Sequence, residues 1–380
     1  MPQEIGEILS EAFDLSRAGG IYFEGGRCQS NNRTLLLFVG LGGTGTDELI
    51  RVKNQVLNRM KPRTPDAPIG TIPENMAFLA IDTAAGEVQD KHYSNTKFAQ
   101  DGSEILPIGA QGAYQTIIDE LLAAKKHKQP HTLWLPDKTK AIGGTAGAGG
   151  RRTVGRVGFF KNYDKIVSKV KDTLTLLGQK NPGVHDYKIL LFAGIGGGTG
   201  SGTFIDMAYL LRHEGRLMDQ SCQLLGYLFM PDLNAHDGGN PDAMNSNAFA
   251  ALKELDYLME SGRKGVPFIQ AYTPNPDTRT HGEIPFDFCH IINTRDNQGN
   301  VYSKSQVMNA VAETIFTYIA DEPSLGAEAK SGLQSIYDNV DYYLTLKPAN
   351  SHLPANHQYD VSFPQLNLAK IKQHISYMVH

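Results

Sequence analysis

Hydrophobic and polar positions divide the chain into two alternating kinds of segment. The first is a nearly uninterrupted apolar run: Thr34–Val39, Met76–Ile81, Lys188–Ala193, Gln223–Met230 and Phe286–Ile292. Short runs without a regular polar face fit strands buried on both sides, as in a parallel sheet covered by helices. The second kind repeats its apolar residues at helical spacing. Leu49, Ile50, Val52, Val56 and Leu57 follow the first run, and Ile117, Ile118, Leu121 and Leu122 mark a helix over 113–124. Phe160, Ile166, Val167, Val170 and Leu174 predict one helix over 159–176, with others over 204–212, 247–259 and 305–320. Strands alternating with helices predict the α/β class, a Rossmann-like parallel sheet with helices on both faces. Residues 1–33 read as an N-terminal extension, a short amphipathic helix (Ile5, Ile8, Leu9, Phe13, Leu15) and a Gly-rich link.

Glycines gather where strands hand over to helices. The densest cluster is Gly194-Ile195-Gly196-Gly197-Gly198-Thr199-Gly200-Ser201-Gly202, between the run ending at Ala193 and the helical stretch opening at Phe204. Glycines leave no Cβ in the way of a ligand, and the helix behind directs its positive end and unpaired N–H groups at the same point. Thr199, Ser201 and Thr203 add hydroxyl donors, so the ligand that suits this stretch is a phosphate chain. Two other motifs fail. A P-loop needs Lys before a Ser or Thr, and the window holds no Lys; a nucleophile elbow needs Gly two residues either side of Ser, where Ser201 has Thr199 and Thr203. A second strand–loop–helix unit carries Gly40-Leu41-Gly42-Gly43-Thr44-Gly45-Thr46. It fits the dinucleotide fingerprint, but that reading wants an acid about 20 residues on, and the first suitable one, Asp82, lies much later. A third cluster runs from Gly143 to Gly150, into Arg151 and Arg152. Its glycine N–H groups suit a terminal phosphate, which Arg151 or Arg152 could neutralise.

The stretch GIGGGTGSG resembles the loop that cradles the phosphates of GTP in the tubulin/FtsZ family. The first loop and the Asp82–Thr83 strand end are similar to that family's first two loops, and the cluster ending at Gly147, Ala148, Gly149 and Gly150 to its γ-phosphate loop. FtsZ carries Asn-Pro after those glycines where this chain has Gly150-Arg151. The resemblance spans about residues 34–341 and implies a nucleotide-binding domain over 34–342 with GTP or GDP and Mg2+ as cofactors. The residues it implies as contacts are Gly40, Gly42, Gly43, Thr44, Gly45, Thr46, Asp82 and Thr83 from the first two loops. They continue with Gly147–Gly150 and with Gly194, Gly196, Gly197, Gly198, Thr199, Gly200, Ser201 and Gly202. Asp82 would sit near phosphates and metal, or near the ribose. Asp232, with Asp237 and Asp242 in reserve, stands for the ribose acid. FtsZ has a Glu and an Arg in that loop, and this chain has neither. Asn293, Tyr302 and Asn309 stand for base contacts, the last on a central helix over about 303–320. In this family the water-positioning acid comes from the next subunit of a filament, in an Asn-x-Asp pattern after that helix. Asn339-Val340-Asp341 fits it, with Asp341 as the acid and Asp338 as its rival; the further FtsZ acid is replaced by Leu344. The stretch 84–140 reads as a family-variable insertion. Residues 343–380 form a C-terminal segment too short for the family's full second domain, which is expected to be absent or truncated.

Composition narrows the partners. The net charge of −4 over 380 residues gives no general attraction to nucleic acid or anionic lipid. Lys125-Lys126-His127-Lys128 reads as a solvated helix end, and Trp134, the only tryptophan, as core. No apolar run approaches a membrane span, and the first residues lack a signal peptide's pattern, so no membrane insertion is expected. Cys28, Cys222 and Cys289 form no CxxC pair and fit a reducing cytoplasm as small apolar residues. The expected protein is therefore a cytoplasmic, bacterial tubulin-like GTPase that associates with itself in a homo-oligomer or filament. A partner protein or missing C-terminal domain could join it. Two alternatives stand beside this: a GTP-binding switch or adaptor with little turnover, and an NAD(P)-dependent oxidoreductase using Gly40–Gly45.

Overall fold

The computed structural model describes residues 34–60, 70–110, 113–141, 147–217, 221–235, 237–274, 278–281, 284–295, 300–320 and 365–366. These fall into two compact units, one of Arg33–Ile50 and Asn75–Asp287, the other of Arg51–Glu74 and the chain from Phe288. In chain order the elements are β1 (Thr34–Leu41), α1 (Gly42–Arg59), β2 (Met76–Asp82), α2 (Ala85–Gln89), β3 (His92–Tyr93), β4 (Thr96–Lys97) and β5 (Ile105–Pro107). They continue with α3 (Tyr114–Lys126), α4 (Arg152–Lys161), α5 (Tyr163–Lys180), β6 (Asp186–Gly194), α6 (Thr199–Leu217), β7 (Ser221–Phe229) and α7 (Pro241–Arg263). Last come β8 (Phe268–Ala271), β9 (Thr278–His281), β10 (Phe288–Ile292), α8 (Lys304–Ile319) and β11 (Gln365–Leu366).

The larger unit is built on a parallel sheet in the order β7-β6-β1-β2-β5. Leu35, Leu37, Phe38 and Val39 of β1 are all fully buried. Successive side chains on a strand point to opposite faces, so both faces of the sheet are covered. That is why the strands read as continuous apolar runs. The chain passes from β1 outward through β2 to β5, then returns to the other side of β1 as β6 and moves outward to β7. Strand order reverses between β1 and β6, and open α/β sheets form their crevices outside the carboxyl ends at such a point. The register aligns those ends: Leu41 pairs with Ile81 and Ala193, Asp82 with Pro107, and Gly194 with Phe229. The stretch 84–140 supplies the edge strand β5 alongside β2.

One predicted helix is two. The segment expected over 159–176 breaks at Asn162 (φ −107, ψ 15) between α4 and α5. The Asn162 amide donates to the carbonyls of Gly158 at 2.9 Å and Ile108 at 3.0 Å. A short polar side chain that binds its own backbone competes with helix continuation. Trp134 packs on Phe160 at 4.7 Å between centroids and donates from Nε1 to His131 O at 2.9 Å. Lys125, in the last turn of α3, pairs with Asp137 at 2.7 Å. Cys289 is a free thiol and buried; Cys222 is a free, half-buried thiol pushed up to about 11 by burial. Cys28 lies outside the described residues.

In the smaller unit α8 opens with a capping box. Ser303 Oγ accepts from Gln306 N at 3.3 Å and Gln306 Oε1 accepts from Ser303 N at 2.9 Å. Arg59 at the end of α1 pairs with Glu313 of α8 at 2.7 Å and lies 4.0 Å over the Phe316 ring.

Candidate functional site

The first and last glycine loops spring from the carboxyl ends of the central strands β1 and β6, and the close approach of their backbones depends on missing side chains. Gly42 has φ +69, and a Cβ there would lie 2.9 Å from Gly200 N. A Cβ on Gly45 would collide with the carbonyl of Phe192. The loops after β1 and β6 are therefore pressed together at the switch point.

They wall a cleft of about 420 Å³. Its lining comprises Gly42, Gly43 and Thr44, then Asp82 and Thr83, then Gly147, Ala148, Gly149 and Gly150, and Gly194, Gly197, Gly198, Thr199 and Gly200. Leu41, Ala84 and Glu87 complete it. Gly43, Gly150 and Gly197 have nothing within 4 Å of an added Cβ, so there the wall is bare backbone. Two helix N-termini, of α1 at Gly42 and α6 at Thr199, open on this space. Bare N–H groups and helix N-termini together favour an anion.

A hydrogen-bond chain ties the second and third glycine loops to the end of β2. The amide of Ala148 donates to Thr83 Oγ1 at 3.0 Å, Thr83 and Thr199 share a bond at 2.6 Å, and Thr199 donates to Asp82 Oδ1 at 3.1 Å. Since the Thr199 proton goes to the carboxylate, Thr83 donates to Thr199. Ala84 N also donates to Asp82, at 3.3 Å. Burial pushes the Asp82 carboxyl above its ordinary value, the bonds from Ala84 and Thr199 pull it back, and the charge of Glu87 adds to the rise. Asp82 and Glu87 are the charged side chains in the lining, and both are acidic. Two carboxylates beside a polyanion site suit a divalent cation held jointly with phosphate oxygens. Among the described residues no group of three or more His, Cys, Asp or Glu forms a metal cage by itself.

Several expected contacts sit elsewhere. Gly40 and Gly45 are interior to the first loop, where a Cβ on Gly40 would lie 2.6 Å from Gly45 O. Thr46 turns its hydroxyl onto the carbonyls of Gly42 and Gly43 at 2.9 and 3.0 Å. Gly196 packs on Pro231. Ser201 and Gly202 line a different cleft of about 390 Å³, with Arg152, Arg156 and Glu254. Ser201 Oγ accepts from Arg152 Nε at 2.7 Å, and Arg152 also forms a bidentate pair with Glu254. The physical reason is rotation. Two residues along a helix turn a side chain by roughly 200°, so Thr199 and Ser201 face opposite ways. The Ser201 hydroxyl and the Arg152 guanidinium are thus bonded to each other, away from the lining of the first cleft. Arg151 reaches the Lys140 carbonyl at 2.7 Å. Asp232 is half-buried in the 3-10 turn Pro231–Asn234 and is not in the lining, and Asp237 and Asp242 are exposed.

The smaller unit holds the residues expected at the base. Asn293 Oδ1 accepts from Arg295 N at 3.3 Å, Tyr302 N donates to Thr294 O at 2.9 Å, and Asn309 accepts from Arg51 within α1. Asn339 and Asp341 lie outside the described residues. The sequence reading missed three residues. Glu87 lines the cleft, Asn234 donates to Thr44 Oγ1 at 2.9 Å, and Asn247 of α7 donates to carbonyls of two loops. None belongs to a motif; position after a glycine-flanked strand end was the one available signal for Glu87. Among the described residues no helix is long and apolar enough to cross a membrane.

The family described as tubulin like matches residues 37–368. No curated protein matches the sequence. Similar solved structures include CetZ from Methanosaeta thermophila strain DSM 6194, at 13% identity over 87% of this chain and 61% of that one, with a TM-score of 0.44. A GTPγS-form protofilament of TubZ from Bacillus thuringiensis serovar israelensis shares 16% identity over 75% of this chain and 57% of that one, with a TM-score of 0.37. A mutant FtsZ from M. jannaschii shares 15% over 78% and 58%, with a TM-score of 0.38. The chain spans about six-tenths of the length of these structures. With a family match that covers most of its residues, the chain belongs to the tubulin-like family.

Proposed function

We propose that the chain binds GTP in the cleft at the β1/β6 switch point and hydrolyses it to GDP and phosphate, coupled to self-assembly into filaments. One observation carries the reading: three glycine loops and the Asp82–Thr83 strand end converge on a single cleft walled by bare backbone. In phosphoryl transfer most of the barrier is met by positioning and by neutralising charge. Loop amides and the two helix N-termini would hold the phosphate oxygens. Asp82 and Glu87 would hold Mg2+, which supplies the positive charge that the lining side chains lack. The domain over 34–342 would carry the nucleotide, with Asp232, Asn293, Tyr302 and Asn309 toward ribose and base. Asp341, supported by Asn339, would come from a neighbouring subunit and orient the attacking water; a carboxylate is adequate for that task. The GTPγS-bound and GDP-bound forms named for relatives, and their protofilaments, support the ligand and the self-association.

The test is phosphate release from GTP and ATP across a range of protein concentrations, with light scattering followed in parallel. The reading expects GTP-selective turnover whose rate per subunit rises with concentration. Concentration-independent turnover would remove the shared active site. Tight binding with flat, negligible release would assign a switch instead of a GTPase, and Asp341 would lose its role.

A further inference from the structure

We propose that Asn247 is a positioning residue that locks the loop ending at Gly150 to the loop 194–200, so that both walls of the cleft grip one phosphate chain. The inference rests on the GTP reading above. Asn240 caps α7, its Oδ1 accepting from Asp242 N at 3.0 Å, and Pro241 opens the first turn. Asn247 then stands nearly two turns inside the helix, half-buried beside the glycine loops. Its Nδ2 donates to Gly150 O at 2.8 Å and Gly196 O at 2.9 Å, with Gly197 O at 3.4 Å. All three partners are carbonyls, which cannot donate, so the amide nitrogen must face them. One NH2 group thus supplies two donors to two loops that are 46 residues apart in the chain by their bonded carbonyls, Gly150 and Gly196.

The same helix face grips again two turns on. Glu254, seven residues further, takes the bidentate Arg152, and Arg152 also donates to Ser201. Arg152 opens α4 behind one loop, and Ser201 lies in the first turn of α6 behind the other. Between these clamps the loops touch without slack, since a Cβ on Gly198 would lie 2.7 Å from Ala148 Cβ and 2.9 Å from Arg151 N. Fixing a carbonyl fixes the whole peptide plane, including the N–H of the following residue. Asn247 therefore sets the direction of the Gly197 amide, and it braces the Gly150–Arg151 peptide, whose N–H donates within its own loop to Ala148 O at 3.1 Å. Neither carboxylate nor methyl can replace it, because the job needs two donors at one atom.

The test uses the full chain, GTPγS with Mg2+ as the probe, and the variants Asn247→Asp, Asn247→Ala and Asn247→Gln. Asn247→Asp keeps the shape but exchanges both donors for a negative charge facing carbonyls, whereas Asn247→Ala removes the donors without adding charge. Losing two hydrogen bonds from a partly exposed site should raise the Kd for GTPγS about tenfold in the Asp and Ala variants. The Gln variant, which keeps the amide, should recover most of the affinity, and the nucleotide-free Tm should stay within a few degrees of wild type. Wild-type affinity in Asn247→Asp, or a loss that merely follows a falling Tm and is not rescued by Gln, overturns the inference. Should the Asp and Ala variants fail to fold, hydrogen exchange on the wild-type chain decides. GTPγS must then protect peptides spanning 147–151 and 194–198 together, and protection of one alone overturns it. A wild-type chain that binds no GTPγS sinks the GTP reading and the positioning role with it, whereas binding that ignores Asn247 sinks the positioning role alone.

Discussion

Gly197→Ala separates folding from binding in the cleft. Nothing lies within 4 Å of a Cβ built there, and the residue's φ is outside the left-handed region. Alanine therefore fits the ligand-free protein without strain, and by restricting the unfolded chain it adds between zero and about 1 kcal/mol of stability. The new methyl nonetheless projects into the space that a phosphate would occupy. Displacing one charge-assisted hydrogen bond costs about 1.5–3 kcal/mol, a rise in Kd of roughly 10- to 150-fold. Gly45→Ala is the opposite case. Its methyl would meet the Phe192 carbonyl carbon at 2.9 Å and the oxygen closer still, away from the cleft lining. Overpacking of that kind costs about 1–3 kcal/mol of fold stability. The assay is urea unfolding of the nucleotide-free chain together with calorimetric titration of GTPγS in Mg2+. Unchanged or raised stability with weakened binding for Gly197→Ala, and lowered stability for Gly45→Ala, is the expected pair. Wild-type affinity in Gly197→Ala would refute the placement of the phosphates against this wall.

Three further outcomes follow from the same geometry. Thr83→Val keeps the shape but removes the acceptor of the buried Ala148 amide and the donor to Thr199, so it should cost about 1–3 kcal/mol by denaturant titration; a neutral substitution would mean that the chain of bonds does not hold the loops. Asp82 has a carboxyl raised by burial above 3.8, so the fold keeps a proton that the unfolded chain has lost, and stability falls as pH rises through that window. Asp82→Asn removes the penalty: its Tm advantage without nucleotide should be absent below pH 3.8 and grow above it, and parallel Tm–pH curves would count against the burial argument. Asp206→Ala strips the bidentate partner from Arg156, whose guanidinium lies 4.6 Å over the Trp134 ring, and should cost about 3 kcal/mol. That is the lower end for a broken buried pair, because the Arg156 side chain keeps 24% exposure. An unchanged urea midpoint would show that solvent replaces the partner.

The amino-acid pattern by itself determined the central strands β1, β2, β6 and β7 and where their loops fall, while the edge strand β5 was not legible. A parallel strand covered on both faces must be apolar along its length, so Thr34–Val39 and Lys188–Ala193 announced β1 and β6 to within two residues. The glycine clusters were legible for a similar reason, since backbone packed on backbone tolerates little else. Helix continuity was less so. The break at Asn162 depends on its amide reaching Ile108, 54 positions earlier in the chain. The direction of hydroxyls was hidden too. Thr199 and Ser201 are equivalent in the motif, yet the turn of α6 sends one to Asp82 and the other to Arg152. Asn234 and Asn247 carry no local signature, because what recommends them is proximity to loops distant in the chain. Periodicity and glycine spacing are properties of neighbouring residues, which a sequence records directly. Which donor meets which carbonyl is set by the register of β1 against β6 and by the docking of α7, and only the folded chain decides that.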